Sequence, residues 1–184
     1  GGGISVFRVA RSGILTLVTG SPFGAFASYG VQALTRGSRS YVYASENGQN
    51  RIRGFRIQKD GSLAELGSSP IASGGIGPLG LAGVKTFLVA VNEDDDEVSA
   101  FTVQSDGALV SAPGSPFDFG GAFIFSAYAD SRGRFFYTPE CGTGLIHGLG
   151  IAPRTAALTS LPGSPFTLPL ARTCGGLALN RKPM

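Results

Sequence analysis

Three glutamates that recur at a fixed interval are the side chains best placed to do chemistry in this sequence. Glu46, Glu93 and Glu140 are 47 and 47 residues apart, and each closely follows a short apolar run. Carboxylates that converge on one face of a domain can act as a general base for water or can bind a cation. If they point outward instead, they are solvated acids in loops. The interval therefore predicts three candidate catalytic carboxylates on one face.

A second column of candidates lies a few positions further along each repeat of this interval. His147, the one histidine of the chain, occupies the same column as Arg53, Ser5 and Ser99. Histidine exchanges a proton near neutral pH, and the planar guanidinium of arginine suits an anionic substrate. His147 is therefore a candidate catalytic residue and Arg53 a candidate substrate-binding residue. The alternative is that both are ordinary surface or packing residues of a strand.

The elements that must position these residues are four copies of one sequence pattern. The clearest copy is Glu97–Phe117, EVSAFTVQSDGALVSAPGSPF, and related segments begin at Ile4, Ile52 and Ile146. The prolines that close the copies are 48, 46 and 49 residues apart. A period of 40 to 50 residues filled with short strands is typical of a β-propeller with one blade per repeat.

Each full repeat is predicted to form four antiparallel strands, a to d. In the third copy these are Leu79–Gly83, Thr86–Val91, Glu97–Val103 and Ala108–Ala112, with an Asp-Gly turn between c and d. The predicted organisation is a single propeller region, 1–184. Strands c and d of a first blade fall within 1–30, complete blades cover 31–71, 79–117 and 125–166, and strand a of a next blade lies in 175–184. The count of about four blades suggests part of a larger ring; a small four-bladed ring is the alternative.

A serine recurs in the Gly-Ser-Pro or Ser-Ser-Pro turn of every repeat. A nucleophile occurs once per site, whereas this serine occurs once per blade, so we expect it to fix the turn together with proline. The four serines are Ser21, Ser69, Ser115 and Ser164.

An acidic run follows strand b of the third repeat. Asn92, Asp94 and Asp96 resemble the start of a calcium loop, but the loop's glycine at position six and glutamate at position twelve are missing. A solvated hairpin tip is the expected structure, with calcium as the alternative. No other metal or cofactor motif is present in the sequence, so we predict no metal site and no cofactor.

The two cysteines, Cys141 and Cys174, fall in a b–c loop and in the d–a connection that follows the same blade. Both are thus expected on one face, where a disulfide would indicate a periplasmic or secreted protein. Two separate thiols in a cytoplasmic protein are the alternative.

Composition excludes several classes of function. The 15 basic residues exceed the 12 acidic ones by only three and are scattered singly, whereas nucleic-acid binding needs a clustered basic footprint. No apolar run reaches the length of a membrane span. Open blade edges, however, predict self-association.

The repeats, with the upstream FLVAVN and the recurrent GSPF, resemble the lactonase-type seven-bladed propeller family, named for 6-phosphogluconolactonase and carboxymuconate cyclase. The resemblance implies hydrolysis of a sugar-acid lactone, such as 6-phosphogluconolactone, in the central mouth of the ring. It also implies that the chain is inactive if catalysis needs a complete ring. The rival hypothesis is a non-catalytic binding or scaffold propeller that presents loops to a protein or carbohydrate.

Overall fold

The computed structural model describes residues 2–169 and Leu177, and it confirms the all-β architecture of four-stranded antiparallel blades. Within these residues the strands form four sheets, here called blades 1 to 4. Blade 1 holds β1 (Phe7–Val9) and β2 (Leu15–Leu17). Blade 2 holds β3 (Val31–Arg36), β4 (Arg39–Glu46), β5 (Arg51–Ile57), β6 (Leu63–Glu65) and β7 (Ile71–Ala72). Blade 3 holds β8 (Pro78–Val84), β9 (Phe87–Asn92), β10 (Glu97–Val103) and β11 (Leu109–Ser111). Blade 4 holds β12 (Tyr128–Ala129), β13 (Phe135–Pro139), β14 (Leu145–Ile151), β15 (Leu158–Ser160) and β16 (Phe166–Thr167).

Each of blades 2 to 4 is a meander in which consecutive strands a, b, c and d pair antiparallel. Strand c of blade 3 spans Glu97–Val103 as predicted, and strand a is longer than predicted by one residue at each end, Pro78–Val84. In this order the b–c hairpins and d–a connections share one end of the blades, here called the b–c end. The strand predicted in 175–184 lies outside the described residues, apart from Leu177.

The core consists of apolar clusters between consecutive blades. Phe55 of blade 2 packs with Ile4 of blade 1, Phe101 of blade 3 packs in the cluster of Tyr43, and Leu149 of blade 4 packs in the cluster of Val98. Because the sheets of blades 2 and 3 bury apolar side chains on both faces, their b strands read as nearly continuous apolar runs. Tyr43 also donates a hydrogen bond to the carbonyl of Gly107 at 2.7 Å, which links blades 2 and 3.

A serine-proline turn with the same geometry in all four blades interrupts the outer strand of each. In blade 3 the N–H of Ala100 donates to Oγ of Ser115 at 3.0 Å, and the N–H of Ala112 donates to the carbonyl of Ala100 at 2.8 Å. The chain then returns to pair Phe117 with Val98. Ser21, Ser69 and Ser164 accept the corresponding hydrogen bonds, and the peptide bond after each serine is cis. The serine hydroxyl thus accepts the hydrogen bond that a backbone carbonyl of the neighbouring strand would accept in a regular sheet.

Candidate functional site

A polar pair recurs at the b–c end of blades 2, 3 and 4. Its first member ends or directly follows strand b, and its second member lies seven residues later on strand c. The pairs are Glu46–Arg53 with Oε2 to Nε at 3.0 Å, Asn92–Ser99 with Nδ2 to Oγ at 2.9 Å, and Glu140–His147 with Oε1 to Nε2 at 2.7 Å. Blades 2, 3 and 4 therefore have a side-chain contact at the same position, made by different residue types in each blade.

Glu93 does not belong to this column. Asn92 pairs with Glu97 in the strand register, as Glu46 pairs with Arg51, so Asn92 is the counterpart of Glu46. The true spacing of the column is 46 and 48 residues, rather than 47 and 47. The side chain of Glu93 is half-buried, and among the described residues it has no hydrogen-bond partner. The expectation of three equivalent carboxylates is therefore wrong for Glu93, although all three carboxylates lie at the b–c end.

Two of the three pairs contain ionisable groups, and of these two the Glu140–His147 pair is the more deeply buried. Glu140 is 4% exposed and His147 is 3% exposed. The carboxylate also accepts hydrogen bonds from Oγ1 of Thr143 at 2.7 Å and from the backbone N–H of Ala122 at 3.0 Å. Burial raises the pKa of Glu140, but the hydrogen bonds from Thr143, His147 and Ala122 outweigh it, so this pKa lies below its ordinary value. The pair is therefore an ionised carboxylate that orients an imidazole.

Glu46 instead belongs to a network of four charges. Its Oε2 lies 2.6 Å from Nε of Arg51 and 3.0 Å from Nε of Arg53, and Arg53 also reaches Oε1 of Glu65 at 2.8 Å. The hydrogen bond from Arg51 is the main reason why the pKa of Glu46 lies below its ordinary value. Arg53 thus has two carboxylate partners, and an anionic substrate would compete with the more exposed one, Glu65.

The connection that enters each blade covers the polar pair of that blade. The ring of Phe119 lies 4.6 Å from the imidazole of His147, centroid to centroid, and the ring of Phe26 lies 4.9 Å from the guanidinium carbon of Arg53. In blade 3, Gly74 occupies this place, since a Cβ there would lie 2.9 Å from Oγ of Ser99. Aromatic covers therefore accompany the two pairs that contain a carboxylate, and a glycine accompanies the Asn92–Ser99 pair.

The acidic loop of blade 3 is used for local capping. Asp95 Oδ2 accepts the N–H of Ile76 at 2.7 Å, and Asp96 Oδ1 accepts the N–H of Ile124 at 3.3 Å. Among the described residues no three histidine, cysteine or acidic side chains gather in a geometry that could hold a metal ion. The carboxylates of this loop thus join the hairpin to the d–a connections on both sides.

A separate cavity of about 360 Å³ lies along the a strands of blades 2 to 4, which are the inner strands of the propeller. It is lined by Gln32, Gly83 and Tyr128 of three successive a strands, by Asp130 of the following turn, and by Leu177. Burial raises the pKa of Asp130, but hydrogen bonds from the backbone N–H groups of the turn bring it below its ordinary value. None of the residues predicted from sequence as catalytic or substrate-binding lines this cavity.

Cys141 lies in the b–c loop of blade 4, where its N–H donates to the carbonyl of Phe123 at 3.0 Å. Cys174 lies outside the described residues, so its pairing with Cys141 and the compartment that this pairing would indicate stay predictions. In the part of the chain that the structure describes, no helix has the length and apolar character needed to cross a membrane.

Several solved structures share this fold. A periplasmic gluconolactonase from Pseudomonas aeruginosa aligns with 85% of this chain and 48% of its own length, with a TM-score of 0.62 and 16% identity. A candidate 6-phosphogluconolactonase from Bacteroides fragilis aligns with 84% of this chain and 46% of its own, with a TM-score of 0.64 and 19% identity. A protein of unknown function from Desulfotomaculum acetoxidans aligns with 84% and 54%, with a TM-score of 0.62 and 13% identity. No protein-family model and no curated protein matches the sequence.

These likenesses show a lactonase-like propeller fold, and the chain spans about half the length of the structures it matches. Sequence reasoning missed Thr143 and Phe119, and it considered Asn92 only as part of a possible calcium loop and not as the partner of Ser99. The signal for Asn92 was present, since counting back seven residues from Arg53, Ser99 and His147 gives the correct column. Thr143 and Phe119 lie in segments without a repeat pattern, so no signal marked them.

Proposed function

We propose that the protein is a lactonase-like enzyme that hydrolyses a sugar-acid lactone such as 6-phosphogluconolactone, with Glu140 and His147 as its proton-transfer pair. The observation that carries the proposal is the 2.7 Å contact between Glu140 Oε1 and His147 Nε2. A carboxylate that accepts the Nε2–H of a neutral imidazole leaves the lone pair on Nδ1. That nitrogen can then act as a general base toward water.

The reaction assigned to this pair is the opening of an ester ring. Nδ1 of His147 removes a proton from water as the water oxygen bonds to the lactone carbonyl carbon. The tetrahedral intermediate then breaks its bond to the ring oxygen, which takes the proton back from the imidazolium, so the product is an open-chain hydroxy acid. Glu140 stays ionised throughout and stabilises the imidazolium. Arg53, which lies two blades away from His147 on blade 2, remains a candidate for binding an anionic group of the substrate.

The cover over the imidazole limits how substrate reaches it. Phe119 packs on His147, and His147 is almost fully buried. Catalysis therefore requires the connection that carries Phe119 to give access to Nδ1. This requirement distinguishes a catalytic pair from one that only pins strand b to strand c.

The proposal is tested by the hydrolysis of glucono-δ-lactone, with the rate of acid release measured and compared with the uncatalysed rate. The pair is contained in blade 4 and its cover in the connection from blade 3, so we expect this chain itself to show turnover. A positioned base contributes about 10² to 10⁴-fold, and His147→Gln should remove an effect of that size. The matched control is Ser99→Ala, which alters the corresponding position one blade earlier.

A second candidate function, carbohydrate binding without catalysis, is favoured by the cavity along the inner strands. Its lining combines one aromatic ring, Tyr128, with the polar side chains of Gln32 and Ser131. Such a mixture of apolar surface and a few polar groups is typical of small-ligand sites. Titration calorimetry with gluconate and neutral monosaccharides tests it. Binding that Tyr128→Ala weakens, in a chain without lactone turnover, favours this alternative.

A further inference from the structure

The fold gathers most basic residues of this chain at one end of the blades. The a–b and c–d turns lie opposite the b–c end, and we call the end that they form the turn end. Among the described residues, ten basic and three acidic side chains lie in these turns or within two residues of them, so the formal charge of the turn end is +7. The basic residues are Arg8, Arg11, Arg36, Arg39, Arg56, Lys59, Lys85, Arg132, Arg134 and Arg154, and the acidic ones are Asp60, Asp106 and Asp130.

All ten basic side chains of the turn end are exposed. Blades 2 and 3 each have a packed neighbour on both sides, and Arg36, Lys59 and Lys85 in their turns are exposed nevertheless. The turns point along the blades and not toward a neighbouring blade, so their exposure does not depend on the number of blades. Of the ten, within the described part of the chain, only Arg134 forms an ion pair with a carboxylate, that of Asp130 at 3.7 Å. Most of this positive charge is therefore not neutralised by ion pairs.

The turn end of blade 2 also has a groove of about 660 Å³ between its two turns. Three of the ten cations line it, namely Arg39, Arg56 and Lys59. The carboxylate of Asp60 lines it as well, and its Oδ1 accepts hydrogen bonds from the N–H and the hydroxyl of Ser62 at 3.0 and 2.7 Å. Guanidinium and ammonium groups are the donors that phosphate oxygens bind best. The groove therefore suits a phosphate group.

The b–c end has the opposite charge but presents little of it to solvent. In the described residues it holds nine acidic and two basic side chains, a formal charge of −7. Of the nine acids only Glu65, Asp94 and Asp118 are exposed, whereas Glu46 and Glu140 are buried in their pairs. The b–c end of a second copy would thus offer few carboxylates to the ten cations.

The two ends act on a partner separately. Strand β4 connects them over eight residues, or about 26 Å. This length is more than twice the Debye length of about 10 Å at about 0.1 M salt. The negative charge of the b–c end therefore does not cancel the attraction of an anionic partner to the turn end.

The arrangement of the cations identifies the kind of partner. They are distributed over the turns of four blades and form a broad array, whereas nucleic-acid recognition uses an element that enters a groove or aromatic rings that stack on bases. The a–b and c–d turns contain no aromatic residue. A bilayer with anionic headgroups presents a plane of phosphate groups and needs neither feature.

We infer that the turn end docks on the surface of an anionic phospholipid bilayer. The basic side chains then lie against the headgroups, and the groove of blade 2 takes a headgroup phosphate. The b–c end, with Glu140 and His147, faces the solution. The inference is independent of the proposed lactonase activity, since it uses residues at the other end of the blades.

The test is co-sedimentation of the whole chain with vesicles, one set of phosphatidylcholine alone and one of phosphatidylcholine and phosphatidylglycerol in equal amounts. At about 0.1 M salt we expect binding to the anionic vesicles only, and we expect its loss at about 1 M salt, where the Debye length is about 3 Å. A basic residue near an anionic surface raises the partition coefficient about fivefold, so Arg56→Gln combined with Lys59→Gln should weaken binding about tenfold or more. Both side chains are exposed, so the variant should keep the far-ultraviolet circular dichroism of the wild type.

A second variant, Arg36→Gln combined with Arg154→Gln, removes the same charge from other turns and replaces the first if that one loses its fold. The matched control is Gln49→Glu combined with Ser68→Asp, which lowers the net charge by the same amount at exposed positions of the b–c end. It should change binding by less than about twofold, because these positions lie more than a Debye length from the membrane.

Equal binding to phosphatidylcholine vesicles, or equal weakening by the control, would overturn the inference. So would a chain that does not bind the anionic vesicles, including one that instead binds a DNA duplex or forms dimers in light scattering at about 0.1 M salt.

Discussion

Nε2 of His147 lies 2.7 Å from Oε1 of Glu140, and this pair is the buried ionisable version of a contact that recurs in blades 2, 3 and 4. In the other two blades the same positions hold Glu46 with Arg53 and Asn92 with Ser99. The recurrence shows that the fold provides the position, because strand b and strand c meet there in the same register each time. What differs between blades is the chemistry, and the Glu140–His147 version is the one that suits proton transfer.

Glu140 should make the stability of the protein depend on pH. Its pKa is lower in the folded state than in the unfolded chain, so it contributes stability that is fully present above the unfolded value, near 4.5, and is lost as pH falls through the folded value. Glu140→Gln should lower the free energy of unfolding at pH 7 by about 2 to 4 kcal/mol, because it disturbs a buried hydrogen-bonded charge. Urea unfolding at pH 7 and at pH 3 measures the effect, and the difference from wild type should shrink at pH 3.

Glu93→Gln is the control for this experiment, since the Glu93 side chain is half-buried and has no hydrogen-bond partner among the described residues. It should change the free energy of unfolding by less than about 0.5 kcal/mol at either pH. Equal effects of the two substitutions would show that the hydrogen bonds to Glu140 do not carry the stability assigned to them.

Ser115 should be needed for the integrity of the outer strand of blade 3. Ser115→Ala removes the acceptor of the Ala100 N–H, which would then lack a partner in a part-buried position. Leaving a buried donor unpaired costs about 1 to 3 kcal/mol, and chemical unfolding measures it. Ser111→Ala, an exposed serine of the same strand, should be nearly neutral. An unchanged stability of Ser115→Ala would contradict the bridging role of the hydroxyl.

A substitution in the turn between β8 and β9 should increase the stability of the protein. Lys85 is exposed and has a φ of 57°, a left-handed conformation that the corresponding turn of blade 2 gives to Gly37, with a φ of 61°. Lys85→Gly should raise the free energy of unfolding by about 0.5 to 1 kcal/mol, because a side chain is disfavoured in this conformation. Thermal unfolding checks it. Lys59→Gly, at an exposed turn position without a positive φ, should instead lower stability; a loss of stability in both variants would contradict the argument.

Much of the fold could be predicted from sequence because the repeat is written four times. The alternation and turn signals placed β10 at Glu97–Val103, and the repeated Ser-Pro marked the turn in which the serine hydroxyl accepts a backbone hydrogen bond. The hydrogen bond of the serine was harder to predict, since its partner, the N–H of Ala100, lies on β10, 15 residues earlier in the chain. Sequence spacing could not show that a hydroxyl would stand in for a ladder carbonyl.

The candidate site was predicted less completely, and the reason is a small shift in spacing. Aligning the glutamates by their constant interval selected Glu93, whereas the strand register selects Asn92. Side-chain direction alternates along a strand, so an error of one residue moves a side chain from one face of the sheet to the other. The roles of Phe119 and Thr143 could not be predicted from sequence for a different reason. Both residues lie in irregular connections, and the path of these connections depends on the packing of neighbouring blades.

The most direct test of the proposed activity is the rate of glucono-δ-lactone hydrolysis by the wild-type chain and by His147→Gln, with Ser99→Ala measured alongside. We expect turnover above the uncatalysed rate in the wild type and in Ser99→Ala, and a loss of about 10²-fold or more in His147→Gln with the fold retained. Turnover that His147→Gln leaves unchanged, or a wild-type chain that is folded and does not accelerate the reaction, would contradict it.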